Sequence, residues 1–70
     1  SNVIGVGARK VREKHELIRA QMAYRRMVKK LQMRAASTDD ADKRKRYMSH
    51  IQELAFGLRQ IAGEVEQLDF

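Results

Sequence analysis

The 70-residue chain contains no cysteine, no proline and no tryptophan. Without cysteine it can form neither a disulfide nor a thiolate metal site, and without proline it lacks the strongest helix breaker. Two Tyr and two Phe are the whole aromatic content, so few rings are available to stack on nucleic-acid bases. No apolar run approaches the roughly 18 residues that a membrane-spanning helix needs. We therefore expect no membrane span, and an intracellular location, cytoplasmic or nuclear, agrees with the lack of cysteine.

Negative charge is scarce in the first half of the chain. The net charge is +6, but residues 1–34 hold ten Lys or Arg and only two Glu, whereas residues 35–70 hold five basic and seven acidic residues. Such a split predicts either an acidic partner for the first half or electrostatic pairing between the halves.

The opening of the chain differs in composition from the remainder. Residues 1–7 include Gly5 and Gly7 among β-branched residues, which predicts a flexible N-terminal linker or a cloning remnant. Because the chain starts on Ser1 without methionine, we expect a fragment of a longer protein. From about Ala8 to Ala35 good helix formers dominate, which predicts helix one over residues 8–35.

The segment Ser37-Thr38-Asp39-Asp40 is typical of a helix start, since its side-chain oxygens can accept hydrogen bonds from free backbone N–H groups. It predicts a turn over residues 36–39 and helix two over about 40–68. So short a connection favours an antiparallel two-helix hairpin, all-α and coiled-coil-like, forming one domain over residues 8–70. A continuous helical rod is the alternative.

Apolar residues of helix two alternate at steps of four and three, the heptad spacing of a helix that packs lengthwise on another helix. We expect helix one to supply the facing residues. The predicted packing seam comprises Leu17, Tyr24, Val28, Leu31, Tyr47, Ile51, Leu54, Leu58, Ile61, Val65 and Leu68. Gly57 and Gly63 weaken helix two, so either a close interhelical contact compensates for them or the helix tolerates two weak positions.

Other apolar residues do not belong to this seam. Val11, Ile18 and Met22 lie on a different face of helix one, and Phe56 occupies the heptad position that faces away from the seam. We expect these four residues to form a partner surface. A hairpin this small buries little apolar surface, so we also expect self-association into a four-helix bundle.

Catalytic and metal motifs are incomplete. Gly5-Val6-Gly7 lacks the third glycine of a dinucleotide-binding loop, because position 10 is Lys, and His15-Glu16 is followed by Arg19 where a zincin requires histidine. No nucleophile is paired with a base. We expect no enzyme activity, no catalytic residue, no metal and no cofactor.

Basic residues predict an alternative function. Several share one broad face of helix one and could follow a phosphate backbone, and a second cluster at the start of helix two is similar to a short nuclear-localisation signal. The possible phosphate-binding residues are Arg12, Arg19, Arg26, Lys30, Arg34, Lys43, Arg44, Lys45 and Arg46. The chain would then be a basic helical module that binds nucleic acid through phosphate contacts.

The segment from Ala20 to Lys30 resembles the IQ motif, which binds calmodulin-like light chains, and matches it at Gln21, Arg25 and Lys30. It departs from the motif at Ala20, where a branched apolar residue is usual, and at Arg26, where glycine is frequent. The same stretch is a basic amphipathic helix, the general form of a calmodulin target. The resemblance implies a calmodulin-like protein as a further possible partner.

The pattern as a whole favours a non-catalytic helical protein–protein interaction or oligomerisation module that acts as a scaffold or tether in a longer protein. The expected partner is a second copy of the chain or a helix of another protein.

Overall fold

A computed structural model describes the backbone of residues 2–68 and the side chains of residues 7–68. It contains two helices, α1 (Asn2–Ser37) and α2 (Ala41–Gln67), which pack against each other as a hairpin 59 × 15 × 13 Å in extent. The predicted all-α antiparallel hairpin is confirmed, and the alternative of a continuous rod is wrong.

α1 begins earlier than the sequence pattern predicts. Residues 2–7 belong to α1, which differs from the linker predicted over residues 1–7, and Ser1 lies outside the described residues. Extending an existing helix orders one residue for each added hydrogen bond and avoids the cost of nucleation, so a short glycine-containing stretch can continue it. α1 has 36 residues and α2 has 27, about 54 and about 40 Å at the rise of an α-helix. The start of α1 therefore extends beyond the end of α2.

The connection between the helices comprises residues 38–40, slightly later than the predicted 36–39. Asp40 is the N-cap of α2, and its Oδ1 accepts hydrogen bonds from the backbone N–H groups of Asp42 at 2.9 Å and Lys43 at 3.1 Å. Thr38 Oγ1 accepts one from the Asp40 N–H at 3.2 Å. These bonds satisfy donors that a helix start leaves without partners, so α2 begins sharply at Ala41.

Arg44 joins the two helix ends. Its Nε donates to the backbone carbonyl oxygen of Ala35 at 3.3 Å, and its Nη2 donates to that of Thr38. The last carbonyl groups of a helix have no intrahelical partner and carry partial negative charge, so a guanidinium group is well suited to this position. Arg44 therefore holds the end of α1 against the first turn of α2.

The core lies in the half of the hairpin next to the turn. Leu31, Ile51 and Leu54 are buried there, and partly buried Tyr24, Val28 and Tyr47 pack around them. Towards the open end the remaining seam residues are half-buried: Leu17, Leu58, Ile61, Val65 and Leu68. All members of the predicted seam are thus buried or half-buried, but full burial is confined to one half of the molecule.

Gly57 allows the helices to approach closely beside this core. A Cβ atom placed on Gly57 would lie 2.8 Å from Cε2 of Tyr24, whereas one placed on Gly63 would meet nothing within 4 Å. The close interhelical contact that could compensate for a glycine is therefore present at Gly57 and absent at Gly63.

Candidate protein-interaction surface

An apolar row remains exposed on α1 after the hairpin has formed. Val11, Ile18 and Met22 retain 41%, 36% and 52% of their accessible surface. They are spaced by seven and four residues, so they lie along one side of the helix, and the seam residues occupy another side. The hairpin thus leaves this apolar row uncovered.

A row of arginines runs beside the apolar row. Arg12, Arg19 and Arg26 stand seven residues apart, and all three are exposed. Arg19 stands three residues before Met22 and Arg26 four residues after it, so the charged row lies beside the apolar one. Lys30 and Arg34 continue the exposed basic surface towards the turn.

Phe56 is exposed on α2 and does not join the α1 row. It retains 57% of its surface and occupies the heptad position turned away from α1. The guanidinium carbon of Arg59 lies 5.9 Å from its ring centroid, within the range of a cation–π contact. The four residues predicted as one partner surface are all exposed, but they form two separate surfaces, one on each helix.

A shallow groove between the helices was not expected from the sequence. It is lined by Met27, Lys30, Leu31, Arg34 and His50, which combine an apolar floor with a basic rim. These residues come from both helices and are brought together by the hairpin register, so no local sequence pattern could have identified them. Other large apolar side chains left exposed are Met33 and Met48.

In the basic cluster of α2, three residues are exposed to solvent and one, Arg44, is bonded to the turn. Lys43, Lys45 and Arg46 are exposed and remain accessible to a charged ligand. The guanidinium of Arg44 is bonded to the turn, so the structure gives this residue a place in the fold that the sequence did not suggest.

The IQ-like segment is partly covered by the hairpin. Arg25 and Lys30 are exposed and Gln21 is half-buried, but Leu31, which directly follows the segment, is in the core. Tyr24 is half-buried against Gly57. A light chain that wrapped around this segment would have to displace α2.

The described part of the chain offers no metal centre and no membrane span. Residues 7–68 contain no group of three or more His, Asp or Glu side chains placed to hold a metal ion. Neither helix, over the residues that the structure describes, combines the length and apolar character needed to cross a membrane. Comparisons with protein-family models, curated proteins and solved structures found no match to this chain.

Proposed function

We propose that this chain is a non-catalytic protein–protein interaction module that docks helices and acts as a scaffold or tether within a longer protein. The observation that carries the proposal is the exposed row of Val11, Ile18 and Met22 at heptad-compatible spacing on α1. Burial of the exposed part of each side chain by a partner helix would contribute about 1 kcal/mol. The row thus offers a few kcal/mol to an ordered helix–helix contact.

Self-association follows from the small core. Only Leu31, Ala35, Ile51 and Leu54 are buried apolar residues of the described part of the chain, and small helical domains commonly gain further burial by oligomerising. Two hairpins that meet side by side would form a four-helix bundle, in which apolar surface that one hairpin leaves exposed becomes buried.

Sedimentation equilibrium at tens of micromolar tests this proposal. We expect a mass near that of two chains, and we expect Phe56→Ala to weaken the association because Phe56 is the largest exposed apolar side chain of α2. Lys43→Gln, on the same helix and also exposed but on a different side from Phe56, is the control and should leave the association unchanged. A single-chain mass across the concentration range would contradict self-association.

A second candidate function is supported by the basic face of α1, which Glu16 and Ala23 interrupt. Arg12, Arg19, Arg26, Lys30 and Arg34 are all exposed, and such a surface could bind nucleic acid through phosphate contacts with strong salt dependence. Fluorescence anisotropy with a labelled duplex and a labelled single strand at about 50 mM salt tests it. Unchanged anisotropy with micromolar protein would exclude it.

A further inference from the structure

We propose that the α1 row docks an amphipathic helix of another protein whose flanking positions are acidic. This inference rests on the proposed function and names the class of partner. The partner class follows from the heptad positions of the apolar row and of the arginines, which do not suit a second copy of α1.

The exposed side of α1 carries a heptad of its own. Val11, His15, Ile18 and Met22 follow one another at steps of four, three and four, which assigns Val11 and Ile18 to d positions and His15 and Met22 to a positions. All four residues are exposed. The row ends after Met22, since the next d and a positions hold Arg25 and Lys29.

The arginines occupy the e position of this second heptad. Arg12, Arg19 and Arg26 each stand one residue after a d position, which places them at the edge of the contact, where e and g residues select a partner by charge. A helix that presents Glu or Asp opposite them would bury the apolar row and pair three exposed cations. Each such pair contributes little to affinity, but together they select the partner and its orientation.

A second copy of α1 does not satisfy this surface. In an antiparallel pair the e positions face each other, so the arginine row would meet the arginine row of the copy. In a parallel pair the e positions face g positions, which hold Gly7, Lys14 and Gln21 and no acid. In both orientations the arginine edge of one α1 faces an edge of the other α1 that carries no negative charge. Self-association must therefore use another face of the hairpin.

Phosphate-bearing partners satisfy only half of the surface. A nucleic-acid backbone could neutralise the arginines, but it offers no apolar group to cover Val11, Ile18 and Met22. Helices that lie on membrane surfaces commonly insert Trp, Phe or Leu, and none of these occurs in the row. An acidic amphipathic helix is the partner that uses both the apolar and the charged row.

The test uses two designed peptides of several heptads with Leu at a and d. One peptide carries Glu at every e and g position and the other carries Lys at the same positions, so that each peptide repels its own copies. Titration of the 70-residue chain, monitored by calorimetry, is expected to show binding of the Glu peptide at least tenfold tighter than binding of the Lys peptide.

Two charge variants separate the row from the overall charge. Arg12→Glu, Arg19→Glu and Arg26→Glu combined should reverse the preference in favour of the Lys peptide. Lys43→Glu, Lys45→Glu and Arg46→Glu combined change the net charge by the same amount on α2, and this control should keep the preference for the Glu peptide. If both triple variants prefer the Lys peptide to the same extent, the inference is wrong, because binding would then follow net charge alone.

A further variant tests the apolar row. Ile18→Ser with Met22→Ser removes exposed side chains and should leave the helix content unchanged by circular dichroism, while binding of the Glu peptide falls at least tenfold. If this variant and the parent chain bind the Glu peptide equally, the inference is wrong. Binding of duplex DNA or of anionic vesicles that exceeds peptide binding and is unaffected by the variant would assign the arginines to phosphates instead.

Sedimentation of the chain alone, combined with the peptide titrations, distinguishes a failure of this inference from a failure of the proposed function. A chain that self-associates but binds both peptides equally, or neither, overturns the acidic-helix partner and leaves the interaction module in place. A chain that is monomeric and binds neither peptide contradicts both.

Discussion

Gly57 lets the two helices approach closely, because its lack of a Cβ atom leaves room for the Tyr24 ring. The Tyr24 ring occupies the space where a Cβ of residue 57 would lie, with 2.8 Å between that position and Cε2. The sequence predicted either a compensating contact at the glycines of α2 or a helix that tolerates them. It could not distinguish Gly57 from Gly63, because the difference depends on the side chain that α1 places opposite each one.

The two glycines form a matched pair of substitutions. Gly63→Ala should raise the free energy of unfolding by about 0.5–1 kcal/mol, because alanine favours the helix and nothing obstructs its methyl group. The free energy of unfolding of the Gly57→Ala variant should be about 1–3 kcal/mol lower than that of the Gly63→Ala variant, because the new methyl group forces Tyr24 out of its position beside the core. Urea unfolding measures both values, and equal stabilisation by the two substitutions would contradict the described packing.

At the scale of the elements, the ends of the helices were harder to predict than their existence. Good helix formers and the capping segment Ser37-Thr38-Asp39-Asp40 predicted two long helices, and the short connection between them predicted their antiparallel packing. The start of α1 lies earlier than the sequence predicts, because Gly5 and Gly7 are typical of a linker but the helix propagates through them from residue 8. The role of Arg44 was not foreseen, since it depends on the end of α1 lying next to the first turn of α2.

Arg44 should stabilise the junction between the helices more than its neighbour Lys45 does. Arg44→Gln removes the hydrogen bonds that the guanidinium donates to Ala35 and Thr38, and we expect a loss of about 1 kcal/mol in the free energy of unfolding. Lys45→Gln removes an equal charge from an exposed position and should cost less than about 0.5 kcal/mol. Thermal unfolding of the two variants compares them, and losses of the same size would contradict the proposed bridge.

At the scale of the whole molecule, the two exposed surfaces lie on different helices. The sequence predicted that Val11, Ile18, Met22 and Phe56 would be left over by the seam, and all four are exposed. It did not predict that Phe56 and the α1 row would be separate, because that depends on the rotation of each helix about its axis in the hairpin. Separate surfaces would allow one to hold a second copy while the other holds a different partner, which suits a scaffold or tether.

We propose that the hairpin completes its burial of apolar surface by association. Thermal unfolding measured over a hundredfold range of protein concentration tests this claim most directly, because the stability of an associating fold depends on concentration. We predict that the unfolding midpoint rises by roughly 10 °C across this range. A midpoint that does not change with concentration would show that the hairpin folds as a monomer and would contradict the claim.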